Sequence, residues 1–311
     1  MTSCVIALDV GGTAMKGALV DRDLAALVEL RRPTRPDPAA GAGSDVAGVV
    51  TAIGDALAEL AGLAERKGLT VRGAGVAVPG IVDEAGGRAI YSANLGWRDL
   101  DLAATLADRL ALPVALGHDV RAGARAEAAV GAARGVRDVV FVPVGTGIAG
   151  AVICAGEALS GGGFAGEIGH LVVRPGGEVC RCSGRGCLET VASAAAIATR
   201  FATRSGHRVT GAADVVRWLD QGDPTARGVW DEAVDALADA LAATATLLAP
   251  ELIVVGGGLS EAGDRLLAPL RTGLDQRLTF QRHPRLVRAA LGDRAGCLGA
   301  GLLAWERAVG P

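Results

Sequence analysis

At 311 residues, half of them hydrophobic and 21% charged, the chain is long enough for two folded domains and too apolar to be disordered. A net charge of −3 leaves no electrostatic footprint for nucleic acid, and only two lysines, Lys16 and Lys67, are available for Schiff-base chemistry. The opening apolar run CVIAL reaches Asp9 with no basic segment before it, so no signal peptide is expected, and the longest uncharged run, 139–156, is broken by Pro143 and several glycines. These features predict a cytoplasmic protein with reduced thiols and no membrane partner.

In chain order, a β-branched strand at 5–10 carries Asp9 near its end and turns through Gly11, Gly12 and Thr13 into a return strand at 15–20. A third strand is expected at 24–31. A Gly-Gly-Thr turn offers backbone N–H groups and a hydroxyl with no bulk, so it can cradle phosphate. Asp9 could hold Mg2+ through water. No Walker loop is present, and an ordinary glycine-rich turn explains the same residues. A Pro/Gly/Ala loop at 33–44 precedes a helix at 45–67, where Val49, Ile53, Leu57, Leu60 and Leu63 recur at helical spacing.

A strand at 71–78 ends on Pro79-Gly80, and a loop at 92–97 sets Asn94 near Trp97. After a helix at 102–110 and a strand at 113–116, Gly117-His118-Asp119 closes the strand and a helix runs over 120–133. Asp119 at a strand end suits a general base and also a helix N-cap; the two are compatible, and capping is the default reading of the residue by itself. The stretch 139–153 repeats the opening device, with Gly145, Thr146 and Gly147 between two apolar strands and Gly145 falling on Gly11. Two such hairpins imply a duplicated α/β unit with both turns facing one nucleotide. The G-x-G-x-x-G matches at 145–150 and 161–166 lack the strand–helix context of a dinucleotide site, which excludes the Rossmann reading.

Between Gly166 and Glu189 lie Cys180, Cys182 and Cys187, with His170 ten residues before the first. Gly, Ser and Arg surround these cysteines, which does not build a core, and the spacing suits a closed Cys3His zinc site. A disulfide is the rival reading, although three clustered thiols leave one over. Glu167 and Glu189 frame the knuckle, either as contacts to a polyhydroxyl ligand or as hydrogen-bond acceptors behind the metal. Cys4, Cys154 and Cys297 read as packing residues. Helices are expected at 188–203, 213–219 and 225–248. A strand at 251–255 leads through Gly256-Gly257-Gly258 into another helix, a junction that lets a nucleoside approach the backbone. A strand at 286–291 and a Gly/Ala-rich helix end the chain.

Taken together and in this order, Asp9-Val-Gly-Gly-Thr13, Asp119, Gly145-Thr-Gly147, Gly166-Glu-Ile-Gly-His170, the cysteine knuckle running into Glu189, and Gly256-Gly-Gly-Leu resemble the ROK family of repressors and sugar kinases. The likeness spans essentially the whole chain and is greatest to the glucokinase-type members. It implies a duplicated actin-like, ribonuclease-H-like ATPase fold of two lobes around a nucleotide and sugar cleft. The lobes would cover 1–115, with the final helix at 294–311 packed back on them, and 116–293. The resemblance also implies an ATP and Mg2+ site built from Asp9, Gly11, Gly12, Thr13, Lys16, Gly145, Thr146, Gly147, Gly257 and Gly258. Asp119 would be the catalytic base, and Asn94, His118, Asp119, Glu167, His170 and Glu189 would contact the hexose. His170, Cys180, Cys182 and Cys187 would hold structural Zn2+.

The implied reaction is transfer of phosphate from ATP to the 6-hydroxyl of a hexose, glucose first. An N-acetylhexosamine kinase and a non-catalytic sugar-binding regulator are the alternatives, and a homodimer or dimer of dimers is the implied assembly. Repressors of the family carry a helix-turn-helix ahead of the first strand, which here begins within a few residues of the start. Three positions depart from the family pattern. His118 and Arg121 replace asparagines, and Ser183 stands where glycine usually follows the second cysteine.

Overall fold

The computed structural model of the chain describes residues 2–34 and 45–309, so most of the loop expected at 33–44 lies outside the described residues. The chain divides into two compact units. The first is Met1–Val130 with Ser160–Phe164 and Asp293–Pro311, and the second is Gly131–Leu159 with Ala165–Gly292.

In the first unit, β1 (Ser3–Val10), β2 (Ala14–Val20) and β3 (Ala26–Pro33) form an antiparallel run. The third strand starts later than expected because the preceding turn is already committed. Leu24 has φ 60°, and the Asp21 carboxylate accepts from Asp23 N and Ala25 N. Helix α1 (Val46–Arg66) begins on Asp45, whose side chain caps Gly48 N at 2.7 Å. Its stripe of Val49, Ile53, Leu57 and Leu60 is buried against Ile6, Leu8, Val10 and Met15. Among the described residues α1 alone is long and apolar enough to cross a membrane, and that stripe faces this core.

Strand β4 (Thr70–Val78) follows in parallel with β1. Three short strands, β5 (Ile81–Asp83), β6 (Arg88–Tyr91) and β7 (Arg98–Leu100), then make a small antiparallel sheet that the sequence pattern did not reveal. Runs of three or four residues carry too little alternation to be recognised. Helix α2 (Leu102–Leu110) leads to β8 (Val114–His118), parallel to β4, and α3 (Asp119–Val130) leaves from its end. The sheet order is β3-β2-β1-β4-β8.

The second unit repeats this topology. Strands β9 (Val139–Pro143), β10 (Ala151–Cys154) and β11 (Glu157–Ala158) are antiparallel. The expected helix at 188–203 is two helices, α4 (Glu189–Ala192) and α5 (Ala194–Ser205). Ser193 is extended between them (ψ 154°), and its side chain accepts from Ala196 N, so a serine that the alanine-rich composition concealed caps a new helix. Helices α6 (Ala212–Asp220) and α7 (Pro224–Leu248) follow. Strand β12 (Leu252–Gly256) reaches α8 (Asp264–Arg277) through a 3-10 turn at Gly258–Ala262 rather than directly. Strand β13 (Arg285–Arg288) ends before the expected 291. Its order, β11-β10-β9-β12-β13, with β12 parallel to β9 and β13, matches the first sheet strand for strand.

Helix α9 (Ala295–Val309) packs on α3, β1 and β4 of the first unit. A Cβ at Gly299 would stand 2.0 Å from Ala122 O, which shows how closely α3 and α9 approach. That contact keeps α3 with the first unit, whose first stretch runs to Val130, whereas the family resemblance implies lobes meeting at 115/116.

Candidate active site

In the first unit, the β1–β2 turn presents Gly12 and Thr13 to solvent, while Gly11 N bonds Ala14 O at 3.0 Å and Thr34 Oγ1 donates to Gly11 O at 2.6 Å. Tying the turn at both ends leaves its tip open. Asp9 pairs in register with Lys16 across the hairpin, and its carboxyl carbon lies 2.7 Å from where a Cβ at Gly296 would stand, so it abuts the first turn of α9. Burial, then the neighbouring Asp119 charge, pushes the Asp9 carboxyl up to about 7 despite Lys16. Lys16 Nζ donates to Asp293 O at 3.0 Å and lies 3.5 Å from Asp293 Oδ2, beside a cavity of about 420 Å3. Asp9, Lys16 and Asp119 are therefore neighbours, with Asp293 added by the structure.

Asp119 is the first residue of α3, with its side chain 28% exposed. Its Oδ1 accepts from the adjacent Val120 N at 2.8 Å, not from the N–H groups of the second or third helical residue that a capping aspartate serves. His118 does the capping instead: its Nδ1 lies 3.4 Å from Arg121 N as acceptor, and Nε2 stands 3.4 Å from Asp119 Oδ1. Asn94 is exposed at the tip of a loop held by Ser92, whose hydroxyl accepts from Leu95 N and whose carbonyl accepts from Gly96 N. Its Cβ is 4.0 Å from the position of one at Gly12, so the loop and the hairpin turn are adjacent.

In the second unit, Gly145 N bonds Gly147 O and Gly145 O accepts from Ala194 N, the first residue of α5. Glu189 Oε2 accepts from Ile148 N at 2.8 Å and lies 2.5 Å from where a Cβ at Gly147 would be. Only glycine lets this carboxylate reach the turn, and Glu189 thereby joins the Gly145-Thr146-Gly147 turn to the knuckle. Gly257 (φ 73°) presses against Val144 O, where a Cβ would stand 2.4 Å away, whereas a Cβ at Gly258 would meet open space. The glycine run thus answers first to packing of β12 on β9, and Gly258 is the position with room for a ligand.

The knuckle assembles as the spacing implied. His170, Cys180, Cys182 and Cys187 offer donor atoms that all lie within 4.8 Å of one another. His170 Nδ1 is 3.6 Å from Cys180 Sγ, and Cys182 Sγ is 3.7 Å from Cys187 Sγ. A tetrahedral zinc with Zn–S of about 2.3 Å sets its ligands roughly 3.3–3.8 Å apart, so the donors fit. All six cysteines are free, and the rival disulfide is not formed. Burial pushes the Cys187 thiol up to about 12, with the neighbouring thiols adding, and a central cation is what lets such a cluster ionise together. His170 directs Nε2 toward Glu167 Oε2 at 3.8 Å, leaving Nδ1 for the metal. Arg174, bonded to Asp235 and Asp239 of α7, anchors the segment. Ser183 adopts φ 70°, the left-handed conformation that explains glycine as the family choice there.

Sequence reasoning missed Glu84, Asp293 and Gly296. Glu84 and Asp293 each sit beside a glycine turn, a faint signal, and Gly296 gives none.

Two units repeating one five-stranded mixed sheet, each with a glycine turn at the corresponding hairpin, define the two-lobe actin-like ATPase fold. The chain belongs to the ROK family, whose model matches residues 5–307. It is similar to a glucokinase of Thermotoga maritima, 34% identical over 98% of both chains. Among solved structures it is similar to a ROK hexokinase from Thermus thermophilus (32% identity, TM-score 0.83, 97% of this chain and 98% of that one). A ROK glucokinase from Streptomyces griseus, solved in complex with glucose and AMPPNP, is 30% identical with TM-score 0.82, covering 97% and 99%.

Proposed function

We propose that the chain is an ATP-dependent kinase that transfers phosphate to the 6-hydroxyl of a hexose, with glucose the preferred substrate. The observation that carries this is the nearly end-to-end likeness to proteins named glucokinase, one of them solved with glucose and an ATP analogue. Asp119 takes the hydroxyl proton, a role supported by its partial exposure and its freedom from capping. The turns at Gly11-Gly12-Thr13 and Gly145-Thr146-Gly147, with Gly257-Gly258 and Lys16, receive ATP. Asp9 would hold Mg2+, which when bound would supply positive charge beside the phosphates. Asn94, His118, Glu167, His170 and Glu189 take sugar hydroxyls. His170, Cys180, Cys182 and Cys187 hold structural zinc. The protein works in the cytoplasm as a homodimer or dimer of dimers, as the family resemblance implies.

A coupled ADP-release assay over glucose, mannose, N-acetylglucosamine and N-acetylmannosamine tests the reading. The highest kcat/KM is expected for glucose. An N-acetylhexosamine preferred by tenfold or more, roughly 1.4 kcal/mol of transition-state preference, would overturn the glucose assignment and leave the kinase standing. ADP release that no hexose stimulates would remove both.

A further inference from the structure

The departures at 118 and 121 belong to one buried device. Arg121 is 1% exposed, among the largest fully buried side chains of the chain. A guanidinium stays charged and has five donors, so its burial is costly unless acceptors meet it. Three segments do. Nε donates to Glu84 Oε1 at 2.8 Å, one terminal nitrogen to Val82 O at 3.3 Å, and the other to Gly163 O at 3.4 Å. Glu84 Oε1 also accepts the backbone N–H of His118 at 3.0 Å. A single carboxylate oxygen therefore grips the residue before Asp119 and, through Arg121, the residue two after it. Between these grips the backbone is closed by Arg121 N on His118 Nδ1.

We propose that Glu84 and Arg121 are positioning residues for the Asp119 base. The pair fixes the turn that carries the carboxylate, a task that requires neither side chain to touch substrate. An ion pair serving stability alone could be replaced by apolar residues at little cost and need not share an acceptor with the base's own turn. Here the shared acceptor is the distinguishing feature, and the third grip, on Gly163 O, also holds the Ser160–Phe164 segment that clusters with this unit. The proposal rests on the kinase reading, in which Asp119 is the base.

The test uses the full chain with Glu84→Gln, Glu84→Ala and Arg121→Lys. Kinetics with glucose and ATP, normalised to folded protein, are combined with hydrogen exchange of the 117–122 and 160–164 amides. Displacing a reacting group by about 1 Å costs on the order of a hundredfold, so kcat should fall at least about tenfold in Glu84→Ala and Arg121→Lys with the KM for ATP within about twofold. Glu84→Gln keeps the acceptor geometry without the charge and should fall between these and wild type. Exchange should quicken at 117–122 and 160–164 and remain unchanged at 3–10. Unaltered kcat per folded molecule in Arg121→Lys and Glu84→Gln would reduce the pair to a structural one, whatever the melting temperatures and even if Glu84→Ala fails to fold. Unaltered exchange at 117–122 would equally overturn it. Wild-type protein with no hexose-dependent ADP release would sink the kinase reading before any substitution is made, and this proposal with it.

Discussion

Replacing Asp9 by asparagine should stabilise the protein while disabling it. Burial, the Asp119 charge and, after the opposing Lys16, Asp293 place its carboxyl at about 7 against an ordinary 3.8. The difference is worth on the order of 4 kcal/mol at alkaline pH. The adjoining first turn of α9 favours a carboxylate by about 0.3–1 kcal/mol, so a net gain of roughly 2–4 kcal/mol is expected for the variant. The sign follows from proton binding. Between about pH 4 and 7 the folded chain holds a proton at Asp9 that the unfolded chain has lost, so wild-type stability declines as pH rises through that window and levels off above it. The advantage of Asp9→Asn should therefore be about 2–3 kcal/mol larger at pH 8 than at pH 5. Urea unfolding of both proteins with EDTA at the two pH values, following the transition of the first unit, measures it. An advantage equal at pH 5 and pH 8 would refute the buried-carboxylate reasoning. Under the role proposed for Asp9, kinase turnover should be lost in the same variant.

Protein purified without added metal should contain one zinc per chain by elemental analysis, and a chelator should lower its melting temperature; a well-folded zinc-free chain would refute the knuckle. Asp119→Asn should keep glucose binding by calorimetry while kcat falls at least about a hundredfold, and near-normal turnover would leave Asp119 without a role as base. Ser183→Gly should leave stability unchanged or raise it by up to about 1 kcal/mol in chemical unfolding, since φ 70° costs serine what it does not cost glycine. A clear loss would mean that the serine side chain contributes something the backbone geometry does not explain.

What was legible in the sequence was local. The β1–β2 hairpin is legible because β-branched residues, Asp9 and a glycine turn fall within ten residues, and the Cys3His cluster because three of its four members lie within eight. Helix α1 was bounded to within a residue by the Asp45 cap and a long apolar stripe. What escaped depended on distance along the chain or on very short elements. Glu84 is 37 residues from Arg121, and it reaches Arg121 only because of the small sheet whose strands are too short to read. The break at Ser193 was hidden by alanines on both sides, since helix propensity outweighed a lone serine in the pattern. For Glu189 the sequence offers a ligand contact or a hydrogen-bond acceptor behind the metal, yet no spacing reveals that one of its oxygens is bonded to Ile148 N.

The two halves of the duplication differ at the position of Asp9. With Gly145 set on Gly11, the counterpart of Asp9 is Pro143, which occupies the same end of the corresponding central strand and carries no charge. The second unit has the turn without the acid. In the first unit Asp119 and Asp293 lie close enough to Asp9 to push its buried carboxyl up, an arrangement that raises the cost of folding. Helix α9 follows β13 as α3 follows β8, so by topology it belongs to the second repeat. It packs on the first, bringing Asp293 to Lys16 and Gly296 to Asp9. The strands kept the duplicated pattern because their hydrogen-bond ladders and apolar faces enforce it. The last helix was free to depart from it, since a helix satisfies its own backbone and needs only an apolar face to dock.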